Sequence, residues 1–378
     1  MRVNQLHLVN GRWSDYATDA AFNAGNCQLV LAFGSPQLIV KPEIYEHLNG
    51  LYPAANIIFS STSGEILDEN VYDDSIVITA IELENSFIKC SATHVGDANS
   101  FDIGAQLMNS LDKTGLKCVF VISDGTFING SELVAGFNAN NPDRVIVSGG
   151  LAGDADRFSS TFTGINAVPT QGNVIAIGFY GDKLHVSHGS SGGWDEFGPE
   201  RTITRAEKNV LYEIDGKNAL DLYKEYLGDY VKELPGSALL FPLSIRINGS
   251  DKNLVRTILA IDENEKSMTF AGNLPVGSKV RLMKANFDKL VKASSEAAKN
   301  TIFIPGNDAQ LAILVSCVGR KLVLNDMIDD ELEAAKNILG ANTAMAGFYS
   351  YGEISPFSKG SQCELHNQTM TITTFTEQ

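Results

Sequence analysis

The chain has 378 residues, of which 44 % are hydrophobic and 20 % are charged, and it contains 34 glycines. This length exceeds the size at which one hydrophobic core usually stops growing, and the composition is typical of a mixed α and β protein. The formal net charge of −16 repels phosphate backbones, so we expect no nucleic-acid partner. The chain lacks both a signal-peptide pattern and the roughly 18 consecutive apolar residues that cross a bilayer. We therefore expect no membrane partner and a cytoplasmic location.

Three pairs of apolar, strand-like segments follow one another along the chain, each pair separated by a helix-like segment. They are CQLVLAFGS with ANIIFSSTSGEI, KCVFVISDG with VIVSGGLAGDADRF, and LAILVSCVG with AMAGFYSYGEI. Each second segment runs into a glycine followed by an acid, at Gly64-Glu65, Gly153-Asp154 and Gly352-Glu353. The distance from Gly34 to Gly64 is 30 positions, from Ser123 to Gly153 it is 30, and from Gly319 to Gly352 it is 33. The spacing predicts a repeated βαβ crossover.

Further strands follow each pair of a glycine and an acid. Turn residues at Glu84-Asn85 and Gly181-Asp182 predict two β-hairpins. Each unit therefore has the order β-α-β-β-β, and a fourth unit fits between Gly153 and Gly352. We predict an α/β (mixed α+β) protein with two domains, 1–205 and 206–378. Both domains would be built from repeated β-α-β-β-β units, with mixed sheets flanked by helices.

The glycine cluster SGGLAGDAD has neither the G-x-G-x-x-G spacing nor the terminal Lys of a phosphate-binding loop. It indicates tight turns and close backbone approach rather than a nucleotide site. The five cysteines are scattered, with no C-x-x-C pair, so neither disulfides nor a zinc site are expected. We expect no metal and no cofactor.

Several motifs resemble those of the FIST proteins. The N-terminal half carries GGLAGD and HGSSGGWDEFGPERTIT, and the C-terminal half carries LVSCVGRK, GFYSYGEISP and LHNQTMTITTF in that order. The resemblance covers nearly the whole chain and departs at Lys321, where a small residue is expected. It implies a sensory module of intracellular signal transduction that binds a small ligand, such as an amino acid or a related metabolite, and that acts with a signalling protein. It implies no known reaction.

Polar residues at or near the ends of predicted strands form the candidate ligand site. An arginine can hold a carboxylate through two parallel hydrogen bonds, and an acid can hold an ammonium. A pairing of Arg320 or Arg256 with Glu353 or Asp154 would therefore suit a free amino acid. Glu65, which has no arginine near it in the sequence, is expected to be structural. The full candidate set is Asp154, Arg157, Arg256, Arg320, Glu353, His366 and Asn367.

The alternative for these acids is a structural role, since an acid after glycine can cap a turn or close an internal ion pair. No G-x-S-x-G, H-E-x-x-H or Walker sequence occurs, so ligand sensing is favoured over catalysis. Two other functions stay open. An enzyme acting on a small polar metabolite would carry a titratable pocket residue with a strongly shifted pKa. A protein–protein interaction scaffold would lack such a pocket and expose a large apolar patch.

Overall fold

A computed structural model describes residues 1–96, 98–234, 236–247, 253–302 and 308–378. Its strands, numbered along the chain, are β1 (Arg2–Val9), β2 (Arg12–Thr18), β3 (Leu29–Gly34), β4 (Asn56–Ser61), β5 (Glu65–Leu67), β6 (Asn70–Tyr72), β7 (Ser75–Glu82), β8 (Phe87–His94), β9 (Leu116–Ser123), β10 (Ile146–Leu151), β11 (Thr163–Ile165), β12 (Asn173–Tyr180), β13 (Leu184–Ser191), β14 (Asp195–Glu207), β15 (Val210–Ile214), β16 (Lys217–Asn218), β17 (Leu243–Arg246), β18 (Asn253–Arg256), β19 (Ile258–Asp262), β20 (Ser267–Phe270), β21 (Lys279–Lys284), β22 (Leu311–Cys317), β23 (Ala344–Ser350), β24 (Gly352–Pro356), β25 (Cys363–His366) and β26 (Met370–Glu377). The helices are α1 (Pro36–Ile39), α2 (Pro42–Leu51), α3 (Ser100–Ser110), α4 (Gly130–Ala139), α5 (Ala219–Leu227), α6 (Phe287–Thr301), α7 (Val318–Leu324) and α8 (Ile328–Leu339).

The described strands form four sheets. In spatial order, the first sheet is β11-β4-β3-β7-β1-β2, the second is β25-β24-β10-β9-β12-β8, and the third is β13-β26-β22-β23-β5-β6. The fourth sheet is β18-β17-β21-β14-β15-β20-β19, with β16 paired to β15. The first three sheets combine parallel and antiparallel pairs and are flanked by helices. The predicted α/β fold class is confirmed. Among the described residues, no helix has both the length and the apolar character needed to span a bilayer.

Three stretches of the chain have the same strand pairing. The second, from β9 to β12, has the order β-α-β-β-β, and the first and third each contain a second α-helix and one further strand, β6 and β25 respectively. β3 with β4, β9 with β10, and β22 with β23 are parallel pairs joined through helices. β7, β12 and β26 return antiparallel beside the first strand of each pair. The intervening strand leaves its own unit, so that β5 pairs with β23, β11 with β4, and β24 with β10. Each unit therefore completes the sheet of another unit.

The two predicted hairpins are wrong. The strands on both sides of Glu84-Asn85 exist, but β7 pairs with β1 and β3 whereas β8 pairs with β12. The strands on both sides of Gly181-Asp182 do not pair with each other either, because β12 lies in the second sheet and β13 pairs with β26 in the third. Alternation of apolar residues shows that a strand has a covered face, but it does not show which strand lies beside it.

The predicted fourth unit has the expected order of elements but different pairing. β15, α5 and β17 follow one another, yet β15 and β17 are not neighbours, and the strand pairs of the fourth sheet are antiparallel. The predicted division between residues 205 and 206 falls inside β14, and the second and third sheets contain strands from both sides of it. That domain boundary stays a prediction from the sequence.

The first three sheets enclose a shared apolar core. Phe33 of β3 contacts Phe348 of β23, and Phe179 of β12 contacts Phe375 of β26, both with ring centroids 4.8 Å apart. The opposite face of each sheet is covered by helices: α2 on the first sheet, α3 and α4 on the second, and α6 and α8 on the third. With both faces buried, the parallel strands have the near-continuous apolar sequences that allowed their prediction.

Helices α3 and α4 approach each other so closely that only glycine fits at the contact. A Cβ atom on Gly104 would lie 2.2 Å from the carbonyl oxygen of Leu133, and one on Gly136 would lie 2.0 Å from that of Phe101. Both contacts are with rigid helix backbone, so the two helices would have to separate to admit a methyl group.

We expect Gly136→Ala to lower the free energy of unfolding by about 1–3 kcal/mol, because the added methyl group overpacks the α3–α4 contact. Gly50→Ala is the matched control, since a Cβ there meets nothing within 4 Å. It should be neutral or stabilising by up to about 1 kcal/mol. Urea unfolding of both variants measures the difference, and equal effects would contradict this account of the contact.

Candidate functional site

A cleft of about 510 Å³, which we call the first cleft, opens at the carboxyl ends of β3 and β4. Ligands commonly bind at this edge of α/β sheets, and sites for small molecules usually measure roughly 300–1,000 Å³. The lining comes from all three units: residues 35–37, 62–65, 71, 73 and 74 from the first, 155–157 from the second, and 318, 321, 322, 325, 326, 328 and 329 from the third. The exchange of strands between units brings these segments together.

Two cationic side chains line the first cleft. The Nζ of Lys321 donates a hydrogen bond to the carbonyl oxygen of Ser63, 3.0 Å away, and forms an ion pair with Asp73. Arg157 is half-exposed, and within the described part of the chain its side chain makes one polar contact, 3.9 Å from Nε to Oδ2 of Asp154. The guanidinium of Arg157 is therefore available to a ligand, while the ammonium of Lys321 is already partly engaged.

Carboxylates outnumber these cations in the first cleft. Apart from the buried Glu65, they belong to Asp73, Asp74, Asp156, Asp326 and Asp329. The described residues include no group of three or more His, Cys, Asp or Glu side chains placed to hold a metal ion. A wall with this excess of negative charge favours a ligand that carries an ammonium group.

Glu65 lies in the wall of the cleft but is almost completely buried, at 1 % exposure. Its carboxyl accepts hydrogen bonds from the hydroxyls of Thr62, at 2.5 Å, and Ser75, at 2.7 Å. Burial raises the pKa of Glu65 to about 8, and the two hydroxyls counteract part of that rise. Glu65 therefore holds a proton through most of the neutral range.

Glu353 repeats the environment of Glu65 in the third unit. It accepts hydrogen bonds from the hydroxyl of Ser350, three residues earlier, at 3.0 Å, and from that of Thr369, just before the returning strand β26, at 2.9 Å. Burial raises the pKa of Glu353 to about 8 as well. Glu353 does not line the first cleft. The same carboxyl cluster thus occurs once at a cleft wall and once in the interior.

Arg320 is fully buried and engaged with the protein. Its Nη2 and Nε lie 2.7 and 3.1 Å from Oε2 of Glu331, and it also donates to the carbonyl oxygens of Leu290 and Gly192. Sequence reasoning missed Glu331, which lies on α8 with no motif around it. Arg320 therefore forms an internal ion pair with Glu331, and recognition of an amino acid by Arg320 together with Glu353 stays a prediction.

Arg256, at 3 % exposure, also has internal partners. Its Nη1 donates to the carbonyl oxygen of Leu365 at 3.0 Å, and its Nε donates to that of Asn273 at 3.3 Å. Burial lowers the pKa of Arg256 to about 10. These contacts join the fourth sheet to β25 of the second sheet. A ligand role for Arg256 or Arg320 stays a prediction, and their observed contacts favour the structural alternative.

Asp154 holds the loop that carries Arg157. Its carboxylate accepts hydrogen bonds from the backbone N–H groups of Ser159, at 3.1 Å, and Ser160, at 2.8 Å, and from the hydroxyl of Tyr351. The structure thus places the buried Asp154 beside Arg157, and of these two predicted residues Arg157 lines the first cleft while Asp154 does not.

The remaining predicted residues lie beside one another outside the first cleft. His366 faces Glu353 across the β24–β25 pair, and its Nε2 lies 3.0 Å from the carbonyl oxygen of Ser355. Asn367 is fully buried, and neither its Oδ1 nor its Nδ2 has a hydrogen-bond partner among the described residues. Ligand binding by Glu353, His366 and Asn367 stays a prediction.

Two arginines from the predicted set should differ sharply in their effect on stability. We expect Arg320→Ala to lower the free energy of unfolding by about 3–5 kcal/mol, because Glu331 is left as an uncompensated buried charge. Arg157→Ala should cost less than about 1 kcal/mol, because its ion pair is long and half-exposed. Urea unfolding of the two variants distinguishes the roles, and a similar loss in both would contradict the assignment.

Comparisons with known proteins place this fold in a family. The model of the FIST N domain matches residues 28–217, and that of the FIST C domain matches residues 219–356. A protein of Methanocaldococcus jannaschii described as uncharacterised is 24 % identical over 371 aligned positions, which cover 88 % of this chain and 70 % of that protein.

Among solved structures, the crystal structure of a chorismatase is similar with a TM-score of 0.38 and 9 % identity, covering 99 % of this chain and 98 % of that one. A likeness at this level says nothing of what the chain binds. The two domain matches together span most of the sequence and confirm the resemblance seen in its motifs. The chain belongs to the FIST family, whose domains are sensory, ligand-binding domains of signal transduction.

Proposed function

We propose that the chain is a sensory protein that binds an amino acid or a related metabolite in the first cleft. The observation that carries this proposal is the half-exposed guanidinium of Arg157 beside a wall rich in carboxylates. A free amino acid carries the two complementary charges at a short separation. One cleft can therefore recognise both ends of the same small molecule.

In this proposal Arg157 takes the role that the sequence suggested for Arg320. Its planar guanidinium can hold the ligand carboxylate through two parallel hydrogen bonds. The ligand ammonium would face the acidic wall, where Asp156 and Asp329 stand on different units. The excess of acids over bases favours ligands with a second cationic group, such as basic amino acids.

Signalling would follow from the way in which the first cleft is assembled. A ligand touching residues 62–65, 155–157 and 321 would link three units that are otherwise joined by exchanged strands. Binding would favour arrangements of the three units that close on the ligand and would disfavour others. A signalling protein that distinguishes the two arrangements is the partner we propose.

The enzyme alternative has one observation in its favour. Glu65, with a pKa raised by burial to about 8, is a protonated acid in a cleft wall, as a general acid requires. Glu353, which lies away from this cleft, has the same arrangement: it accepts one hydrogen bond from a hydroxyl three residues earlier and one from a hydroxyl next to the start of the returning strand. The recurrence indicates that the cluster stabilises the start of the returning strand, and it favours binding over catalysis.

Isothermal titration with free amino acids, including lysine, arginine, glycine and glutamate, tests the proposal. We expect saturable binding by at least one of them. Arg157→Ala should weaken it at least about tenfold, since a hydrogen bond to a charged group contributes about 1.5–3 kcal/mol. Arg12→Ala, which removes an exposed arginine outside the cleft, should leave the affinity unchanged. Unaltered binding in Arg157→Ala, or no binding by the whole panel, would refute the site.

The protonation of Glu65 predicts a pH dependence of stability. Its pKa is about 8 in the folded chain against an ordinary 4.5, so the folded state keeps a proton that the unfolded state releases. The stability linked to this proton is fully present below pH 4.5 and is lost as the pH rises towards 8. The glutamine in Glu65→Gln cannot ionise. The free energy of unfolding of this variant should therefore fall less steeply between pH 5 and pH 8, with a slope that is smaller by up to about 1.4 kcal/mol per pH unit.

Urea unfolding at intervals across this pH range measures the slope. Glu46→Gln, at an exposed position on α2, is the control and should follow the unaltered chain. A Glu65→Gln variant with the same slope as the unaltered chain would show that Glu65 is ionised in the folded state.

A further inference from the structure

A second cleft, of about 400 Å³, opens at the carboxyl ends of β9 and β10. It occupies the position on the second unit that the first cleft occupies on the first unit. Residues 125–130 and 151 form one side, Phe158 and Tyr351 form another, and the fourth sheet closes it. In contrast to the first cleft, none of its described lining residues is charged.

Four aromatic residues line the second cleft: Phe127, Phe158, Phe270 and Tyr351. Phe158 and Tyr351 are stacked, with ring centroids 4.4 Å apart and an interplanar angle of 21°. Phe127 is 57 % exposed, although its backbone is fixed by a hydrogen bond from its N–H to Oδ1 of Asp124. Phe127 therefore presents an exposed apolar ring on a fixed backbone in an open cleft wall.

We propose that the second cleft binds a small uncharged molecule with an aromatic ring. The absence of charge among the described lining residues disfavours ions, and aromatic pairs contribute beyond the apolar area that they bury. Asn129 and Asn209 also line this cleft. Each amide NH2 donates one hydrogen bond within the protein, to Oδ1 of Asn273 and to the carbonyl oxygen of Phe270 respectively, and carries a second N–H for a polar edge of such a molecule. The volume is within the range of small-molecule sites.

The second cleft is connected to the first through the loop 154–158. The carbonyl oxygen of Ala155 accepts a hydrogen bond from the hydroxyl of Ser63 at 3.1 Å and lies 3.2 Å from the hydroxyl of Tyr351, which donates to Asp154. Ser63 and Ala155 line the first cleft, and the Tyr351 ring lines the second. The N–H of Phe158 donates to the same tyrosine hydroxyl at 3.0 Å. A bound ring that displaces Tyr351 would therefore shift the carbonyl group of Ala155, which accepts a hydrogen bond from Ser63 in the first cleft.

Two residues of this loop show that its contacts determine its shape. Ala155 and Phe158 have φ values of +64° and +49°, in the left-handed region that residues with side chains seldom adopt. Such conformations persist where the surroundings impose them. A change in those contacts is therefore transmitted to the backbone of the loop.

Titration with indole, followed by the backbone amide resonances of the protein, tests the proposal without any ligand in the first cleft. Its outcome is therefore independent of the amino-acid proposal. We expect saturable shifts at Phe127 and Phe158, and shifts at Ser63 and Arg157 with the same saturation curve. Phe127→Ala should weaken indole binding about tenfold. Phe287→Ala, which removes a ring of similar exposure elsewhere, should not.

Tyr351→Phe separates binding from transmission. It keeps the ring and removes the hydroxyl, so the shifts at Phe127 should remain while those at Ser63 and Arg157 disappear. Either of two results would overturn the site: no saturable shift at Phe127 up to the solubility limit of indole, or equal affinity in Phe127→Ala. Shifts at Ser63 that persist in Tyr351→Phe would overturn the connection between the clefts.

Discussion

The rest of the structure depends on the exchange of short strands between three units. β5, β11 and β24 each leave their own unit and pair antiparallel with the second parallel strand of another. These pairings cover a sheet edge of each neighbouring unit that would otherwise expose unpaired backbone groups. The exchange also carries the loops after Gly64 and Gly153 over the strand ends of other units. Both clefts are products of that constraint, and no single unit contains either one.

Burial decides which charged residues can meet a ligand. Arg320 and Arg256 are buried. Arg320 forms an ion pair with Glu331, and both arginines donate hydrogen bonds to backbone carbonyl oxygens. A buried guanidinium without such partners would be very unfavourable, so the protein supplies them. Arg157 is on a loop held by Asp154 and keeps its guanidinium exposed. The contrast in exposure follows from the position of each arginine in the fold.

Much of the fold was predictable because its strands are read directly from apolar runs and their spacing. The parallel pairs, the helices between them and the loops ending in glycine and an acid were found at the predicted places. The partners of β8 and β13 were not predictable, since each of these strands joins the sheet of another unit. Glu65 was expected to be structural from its lack of a nearby arginine. In the fold, Glu65 lies at the first cleft together with Arg157 and Lys321, which are distant from it in the sequence. That proximity could not be predicted from the sequence around Glu65.

The central proposal is that the first cleft binds the carboxylate of a ligand through Arg157 and the ammonium of the same ligand through its acidic residues. A crystal structure of the protein grown with a basic amino acid such as lysine tests it most directly. The account predicts the amino acid in the first cleft, with its carboxylate on the guanidinium of Arg157 and an ammonium facing the carboxylates of Asp156, Asp326 or Asp329. An amino acid bound at another place, or one whose carboxylate makes no contact with Arg157, would contradict the account.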